Sequence, residues 1–145
     1  MIKIEFPKEK PLMRQSEKAQ EIFDPVRKKW LILTPEEWVR QNMIQFLLSK
    51  NYPNSLLAIE KGIKQGELSR RCDIVIYARD MTPFMIIECK EMNVMLNEKT
   101  MAQILRYHIT LQVNYLIITN GSYCFGFEKK DGNFFEINEF PDYEF

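Results

Sequence analysis

Two apolar segments, RRCDIVIY at residues 70–77 and PFMIIECK at residues 83–90, determine the expected fold. Both are rich in β-branched residues and a short polar break separates them, so we expect two antiparallel strands of a hairpin. Alternate side chains of a strand share a face. Glu88 and Lys90 should therefore project together, and Asp73, at the start of the first strand, should lie beside them.

This cluster of two carboxylates and one ammonium has a chemical interpretation. Neighbouring carboxylates repel each other, and a divalent cation stabilises such a pair. Mg²⁺ prefers hard oxygen ligands and usually takes one or two protein carboxylates. A lysine beside it can orient or deprotonate the attacking water, or stabilise charge on a phosphate. Asp73, Glu88 and Lys90 therefore predict a metal-dependent phosphodiesterase.

Length and composition predict one globular domain over residues 1–145, which is 46% hydrophobic and 28% charged. The 20 basic and 20 acidic residues cancel, so DNA would have to be bound by a local patch and metal ions. The three cysteines lack metal-finger spacing, which favours reduced thiols. With no signal peptide or membrane segment, we expect a cytoplasmic protein.

The sequence TPEE at residues 34–37 is a helix start with threonine as N-cap, proline in the first turn and a capping-box glutamate. Apolar residues recur at helical spacing to about residue 50. Upstream, residues 21–33 predict a hairpin around an Asp-Pro turn, expected to cover the edge of the main sheet. A short strand is expected at residues 2–6.

The remaining segments complete an α/β fold, a mixed sheet flanked by helices with extra β-hairpins at both ends. We expect a strand at residues 56–63 and a helix at residues 97–112 that buries His108 in its apolar stripe. A strand parallel to a neighbour at residues 115–121 and a final hairpin at residues 123–137 follow. The domain would divide into an N-terminal extension at 1–33, a catalytic core at 34–121, and a C-terminal hairpin and tail at 122–145.

The spacing of Asp73 and Glu88-x-Lys90, with fourteen residues between the carboxylates, resembles the signature of the PD-(D/E)XK nuclease superfamily. The order helix, three strands, helix, strand also resembles the core of that restriction-endonuclease-like fold. Cys72 replaces the proline usual before the aspartate, which removes no ligand. The resemblance implies an acidic residue from the first helix, for which Glu37 is the candidate; the alternative is that Glu37 only closes the capping box.

The helix after the Glu-x-Lys strand carries Gln103 and Tyr107 on one face. This Gln-x-x-x-Tyr pattern resembles a motif of the exonuclease-like branch of the superfamily, which implies support for Lys90 or a phosphate. Glu60 could approach the metal or be a strand-surface charge. Basic residues near the site either contact phosphate groups of DNA or simply belong to a solvated loop. They are Lys61, Lys64, Arg70 and Arg71.

Residues 20–137 resemble the type I restriction enzyme R protein N-terminal domain, most specifically at 34–41 and 73–90. In that family the domain cleaves DNA and an ATP-driven motor follows it. This chain has no Walker-type glycine-rich loop, so we expect ATP use to lie outside it. The resemblance implies DNA as partner and leaves open other restriction-modification subunits; a homodimer is conceivable but no residue argues for it.

The first hypothesis is therefore a Mg²⁺-dependent DNA endonuclease in which Mn²⁺ may substitute. Asp73, Glu88 and the backbone carbonyl of Cys89 would bind the ion, and Lys90 would position the water. The second is a nuclease-fold module without turnover that binds DNA or a protein. The third is an α/β domain in which Asp73, Glu88 and Lys90 form only a structural ion-paired strand end.

Overall fold

The computed structural model describes residues 1–143, apart from the side chains of Gln65 and Leu68; the last two residues of the predicted tail lie outside the described residues. The helices and strands follow in chain order: β1 (Met13–Gln15), β2 (Gln20–Asp24), β3 (Lys29–Ile32), α1 (Pro35–Ser49), β4 (Leu57–Gln65), β5 (Leu68–Tyr77), β6 (Pro83–Cys89), α2 (Glu98–His108), β7 (Tyr115–Thr119), β8 (Cys124–Lys130) and β9 (Asn133–Ile137).

Helix α1 begins where its capping sequence predicts. Thr34 is the N-cap, and its side chain accepts a hydrogen bond of 3.0 Å from the backbone N–H of Glu37. Pro35 is the first helical residue, where its missing N–H costs nothing. Just beyond the last turn Asn51 takes a φ of 66°, a left-handed conformation that asparagine tolerates at helix ends. Local sequence therefore sets both ends of α1.

The main sheet has six strands in the order β4-β5-β6-β7-β8-β9. Strands β6 and β7 are parallel because α2 carries the chain back across the sheet, and the other neighbours are antiparallel. The mixed α/β sheet and its crossover are therefore confirmed. The predicted C-terminal hairpin, β8–β9, extends this sheet through β7 instead of standing apart from it.

The predicted N-terminal hairpin is present as β2–β3, but β1 joins it to make a separate three-stranded sheet. This sheet packs against α1, where the buried Asp24 accepts a 2.9 Å hydrogen bond from the side chain of Gln41. Arg27, in the turn after β2, also lies 3.2 Å from Glu60 on the edge strand β4, so the hairpin's role as an edge cover stays a prediction. The expected strand at residues 2–6 is wrong, since Ile2 alone bridges to Cys124. Pro7 follows at once, and proline lacks the N–H that would extend a ladder.

Apolar side chains form a core on each face of the main sheet. The cluster on the α1 side includes Val39, Met43, Ile44, Leu47, Ile74, Ile76, Met85, Ile87 and Cys89. The cluster on the α2 side includes Cys72, Val75, Ile86, Leu116, Ile118 and Phe127. The alternation along β6 is the predicted one. Neither helix in the described part of the chain is long and apolar enough to span a membrane.

Gly126 on β8 is surrounded by side chains that leave little room for a Cβ atom. A Cβ atom there would lie 2.5 Å from Cδ1 of Ile2, 3.0 Å from Cγ1 of Ile137 and 3.1 Å from Cδ1 of Ile117. We expect Gly126→Ala to lower the free energy of unfolding by about 1–3 kcal/mol, because the neighbours must shift to admit the methyl group. Urea denaturation measures this change.

Gly62 on β4 is the matched control. A Cβ there would meet Oγ of Ser69 at 3.7 Å, an ordinary contact. Gly62→Ala should leave the free energy of unfolding within about 1 kcal/mol of the parent. Equal losses in the two variants would show that close packing at Gly126 is not the cause.

Candidate functional site

Asp73 and Glu88 lie at adjoining ends of β5 and β6. Ile74 pairs with Ile87, so the next position toward the strand ends sets Asp73 opposite Glu88. Burial raises the pKa of Glu88, and the negative charge of Asp73 adds to that rise. The structure thus brings together the two carboxylates that the sequence places at one strand end.

The side-chain alternation of β5 shifts by one residue at Asp73. Cys72 packs on the α2 side while Ile74 packs on the α1 side, although two residues apart on a regular strand share a face. The neighbouring strand is irregular at the same level, where Glu60 has a φ of 52°. Because of this shift, Asp73 can reach groups on the α1 side while Cys72 turns toward α2.

Both carboxylate oxygens of Asp73 are hydrogen-bonded. Oδ1 accepts from Nη2 of Arg40 at 3.0 Å, and Oδ2 accepts from the backbone N–H of Cys89 at 2.8 Å. The Cys89 bond ties Asp73 directly to the backbone between Glu88 and Lys90. Asp73 is therefore held in place from both α1 and β6.

Arg40 is the cationic centre of this site. Its guanidinium lies 2.7 Å from Glu37, 3.0 Å from Glu36 and Asp73, and 3.5 Å from Glu60, with only 5% of the side chain exposed. Burial lowers the pKa of Arg40, but the hydrogen bond to Asp73 and the charges of Glu37 and Asp73 outweigh that and raise it. Arg40 is thus a permanently charged counter-ion, and Glu60 is part of this network instead of a simple strand-surface charge.

Glu37 joins the network through its side chain. Its carboxylate accepts hydrogen bonds from Arg40 at 2.7 Å, from Gln41 at 3.1 Å and from Arg27 at 3.3 Å. Only its backbone N–H bonds to Thr34, so the alternative that Glu37 merely closes a capping box is wrong. The side chain instead fixes Arg40 from the helix side.

Asp24 supports the network from the N-terminal sheet. Its side chain is fully buried and accepts from Nε of Arg27 at 2.7 Å and from Gln41 at 2.9 Å. Burial raises the pKa of Asp24, but hydrogen bonds from Arg27, Gln41 and the backbone N–H of Val26 outweigh it and lower the pKa. Asp24 thereby holds Arg27, which lies between Glu37 and Glu60.

Glu88 lies between Asp73 and α2: the charge of Asp73 acts on its carboxyl group, and one of its oxygens faces His108. One oxygen, Oε1, lies 3.1 Å from Nε2 of His108, which is 1% exposed. The contact is close but lacks the alignment of a hydrogen bond, and Oε1 has no other hydrogen-bond partner among the described residues. His108 is packed, as predicted from its place in the helix stripe, and it also faces Glu88.

Lys90 follows directly after β6 and is half-buried. Burial raises the pKa of Glu36, Asp73 raises it further, and the positive charges of Arg40 and Lys90 oppose them. Lys90 is therefore near enough to Glu36 for its positive charge to act on that carboxyl. This places a carboxylate pair and a lysine at one end of the sheet.

The predicted pair on α2 is less closely engaged. Gln103 is exposed, and Tyr107 is 46% exposed. The ring of Tyr107 lies 4.6 Å from the guanidinium of Arg70 and 4.8 Å from the ring of His108. A role for Gln103 and Tyr107 beside Lys90 stays a prediction.

The four basic residues predicted to contact phosphates are divided between two faces. Nε of Arg70 donates to the backbone carbonyl of Tyr107 at 3.0 Å on the α2 side. Arg71 pairs with Glu60 at 3.2 Å and keeps 72% of its side chain exposed. Lys61 and Lys64 are exposed on β4. Their contact with DNA remains untested.

Sequence reasoning assigned no role to Arg40, Asp24 or Cys72. Arg40 had a usable signal, because it follows Glu37 by three residues and such pairs meet on a helix surface. Asp24 was interpreted only as a turn former beside proline. The role of Cys72 had no signal, because regular alternation places it on the wrong face.

The geometry favours binding of a cation at this end of the sheet. Two adjacent carboxylates supply hard oxygen donors, a lysine lies at the same strand end, and a buried arginine balances the negative charge. Carboxylates in such a cluster are suited to bind a divalent cation.

Comparison with known proteins gives one family. Residues 35–141 match the model for the type I restriction enzyme R protein N terminus. The match covers α1 and all six strands of the main sheet, including Asp73, Glu88 and Lys90. No curated protein matches the chain.

We expect Asp24→Asn to lower the free energy of unfolding at neutral pH by about 1–3 kcal/mol, because Arg27 loses its buried acceptor. A carboxylate with a lowered pKa contributes stability above its unfolded-state pKa of about 3.8, and that stability is lost as the pH falls through the lower folded-state pKa. The difference between variant and parent should therefore shrink below pH 3.8. Denaturant titrations from acid to neutral pH test this.

Glu139→Gln, at an exposed carboxylate, is the control and should track the parent at every pH. A constant deficit for Asp24→Asn across the whole pH range would contradict the assigned cause.

Proposed function

Because the chain belongs to the family of type I restriction enzyme R protein N-terminal domains, we propose that it is a Mg²⁺-dependent DNA endonuclease that hydrolyses phosphodiester bonds. The observation that supports this proposal is the meeting of Asp73 and Glu88 at adjoining strand ends, with Lys90 two residues after Glu88 in the chain. The coarser statement, a module related to the nuclease part of restriction enzymes, follows from the family alone.

The donor set fits Mg²⁺, and Mn²⁺ would substitute. Asp73 and Glu88 offer carboxylate oxygens, and Oε1 of Glu88 is buried without a hydrogen-bond partner among the described residues. The bonds from Arg40 and Cys89 to Asp73 leave lone pairs on its oxygens, since each carboxylate oxygen has two. The backbone carbonyl of Cys89 would complete the protein ligands. When bound, the ion supplies Lewis acidity at the scissile phosphate.

The chain's own residues would position the reactants. Lys90 would orient the attacking water or stabilise charge on the phosphate. Arg40 holds Asp73 in place and offsets the charge of the surrounding carboxylates, and Glu37 fixes Arg40 in turn. Gln103 and Tyr107 would support Lys90 or a phosphate. The proposed DNA contacts are Lys61, Lys64, Arg70 and Arg71.

DNA is the proposed substrate, and other restriction-modification subunits are the proposed protein partners, in keeping with the family. The chain carries 20 basic and 20 acidic residues, so the ion and the local basic side chains would supply most of the attraction for phosphate.

One observation favours a second function, a nuclease-fold module that binds DNA or a protein without cutting. Arg40 already neutralises Asp73 through a 3.0 Å hydrogen bond. A cation supplied by the protein can take the place of a metal at a carboxylate cluster, and such a site would be stable yet inactive.

We expect Lys90→Ala to reduce Mg²⁺-dependent nicking of supercoiled plasmid by about a hundredfold or more, because a group that acts on the transition state is removed. Its thermal stability should stay near that of the parent, because the side chain is only half-buried. Gel-based rate measurements on the purified full chain give both the rate and its metal dependence.

Lys99→Ala, which removes an exposed lysine at the start of α2, should cut at the parental rate. If Lys90→Ala and Asp73→Asn both cut like the parent, with contaminating nuclease excluded, the endonuclease proposal fails.

Calorimetry with Mn²⁺ separates the two functions. We expect the parent to bind the ion, and Glu88→Gln to bind at least about tenfold more weakly, because a neutral amide replaces a charged ligand. Glu139→Gln should bind like the parent. A flat titration of the parent would instead favour the module without turnover.

A further inference from the structure

The α2 side of the sheet holds a second cluster of metal-ligating groups. The Sγ of Cys72, a carboxylate oxygen of Glu88 and a ring nitrogen of His108 all lie within 4.8 Å of one another. Cys72 and His108 are each 1% exposed, and 12% of the Glu88 side chain is exposed. The shifted alternation of β5 creates this cluster, because it turns Cys72 toward α2.

The polar atoms of this cluster are poorly satisfied. Within residues 1–143, Oε1 of Glu88 and Nδ1 of His108 are buried without a hydrogen-bond partner. Buried polar groups in native proteins are nearly always paired, so each orphan needs an explanation. A cation bound by Oε1 of Glu88 and by Nε2 of His108, which lies 3.1 Å from that oxygen, would satisfy the carboxylate oxygen.

The donor types select the ion. Thiolate, imidazole and carboxylate are the ligands of Zn²⁺, whereas Mg²⁺ takes oxygen donors. Bonds of about 2.0–2.3 Å to Zn²⁺ set its ligand atoms about 3–4 Å apart, so small side-chain rotations would close this cluster on the ion. Three protein ligands would leave a fourth position of a tetrahedral ion for water.

We propose that Cys72, Glu88 and His108 form a binding site for Zn²⁺ or a similar thiophilic divalent cation. Ligation releases the Sγ–H proton of Cys72 to the buffer. Glu88 belongs both to this site and to the proposed Mg²⁺ site with Asp73. Occupation of the thiol site therefore removes a Mg²⁺ ligand and inhibits cleavage; this last consequence rests on the proposed function.

Co²⁺ serves as a spectroscopic probe for the reduced full-length chain. We expect one equivalent of Co²⁺ to give the charge-transfer absorption of a cobalt–thiolate bond, and Zn²⁺ to abolish that absorption by displacement. Cys72→Ser should lose the absorption, and His108→Gln should weaken binding by about a hundredfold or more. Circular dichroism of each variant verifies folding. If His108→Gln fails to fold, the cobalt–thiolate absorption of the near-isosteric Cys72→Ser alone tests the site.

Cys124→Ser is the matched control, since Cys124 is a free, buried thiol on β8, outside this cluster. It should bind Co²⁺ like the parent. The proposal is overturned if the parent gives no thiolate absorption, if Cys72→Ser keeps it, or if Cys124→Ser loses it.

Asp73→Asn distinguishes this site from the proposed Mg²⁺ site. It should lose the calorimetric signal for Mn²⁺ and keep the cobalt–thiolate absorption. If the parent cuts DNA, micromolar Zn²⁺ should inhibit it at least tenfold more strongly than it inhibits Cys72→Ser. If the parent does not cut, the endonuclease proposal fails while the Co²⁺ titration still decides the thiol site.

Discussion

The guanidinium of Arg40 lies within 3.5 Å of four carboxylates that reach it from one helix and two strands. Neighbouring carboxylates repel one another, and Glu37 and Asp73 also lose hydration through burial; a buried cation among them offsets both costs. The N-terminal sheet, α1 and the β4–β5 hairpin therefore meet at a charge-balanced contact. Asp24 and Arg27 extend that contact and connect the N-terminal sheet both to α1 and to the edge strand β4.

The shift in alternation at Asp73 gives the two faces of the sheet different chemistry. On the α1 side, Asp73 meets charged groups and the backbone N–H of Cys89. On the α2 side, Cys72 and His108 meet Glu88. Glu88 thus connects an oxygen-rich environment with one that contains sulfur and nitrogen. A strand of regular alternation would have put Cys72 into the α1-side core instead.

Much of the fold follows from local patterns in the sequence. The capping residues of α1, the alternation in β6 and the crossover through α2 are set by neighbours in the chain, and they were predicted. The choice of partner for a strand depends on distant packing. The joining of β8 to β7 and the packing of the N-terminal sheet on α1 were therefore not predicted, and β1 was missed because its three residues are all exposed and give no pattern.

In the site, the spacing in the sequence was enough to place Asp73 and Glu88 at adjoining strand ends; the role of Lys90 beside them stays a prediction. Their partners could not be derived in the same way. Arg40 depends on how α1 is rotated over the sheet, and Cys72 depends on a backbone irregularity that no residue type announces. Ion pairs and strand irregularities are tertiary properties, so they become visible only once the elements are packed.

The parallel pairing of β6 with β7 bears on how the molecule assembles. Strands β4 to β6 and strands β7 to β9 each close through short hairpin turns, but the two halves join only after α2 has crossed the sheet. Contacts between residues far apart in sequence form slowly, because loop-closure entropy opposes them. We therefore expect docking of the halves to be the late kinetic step. Since the backbone N–H of Lys90 bonds to the carbonyl of Thr119 across that seam, the end of the sheet that carries Asp73 and Glu88 would be completed last.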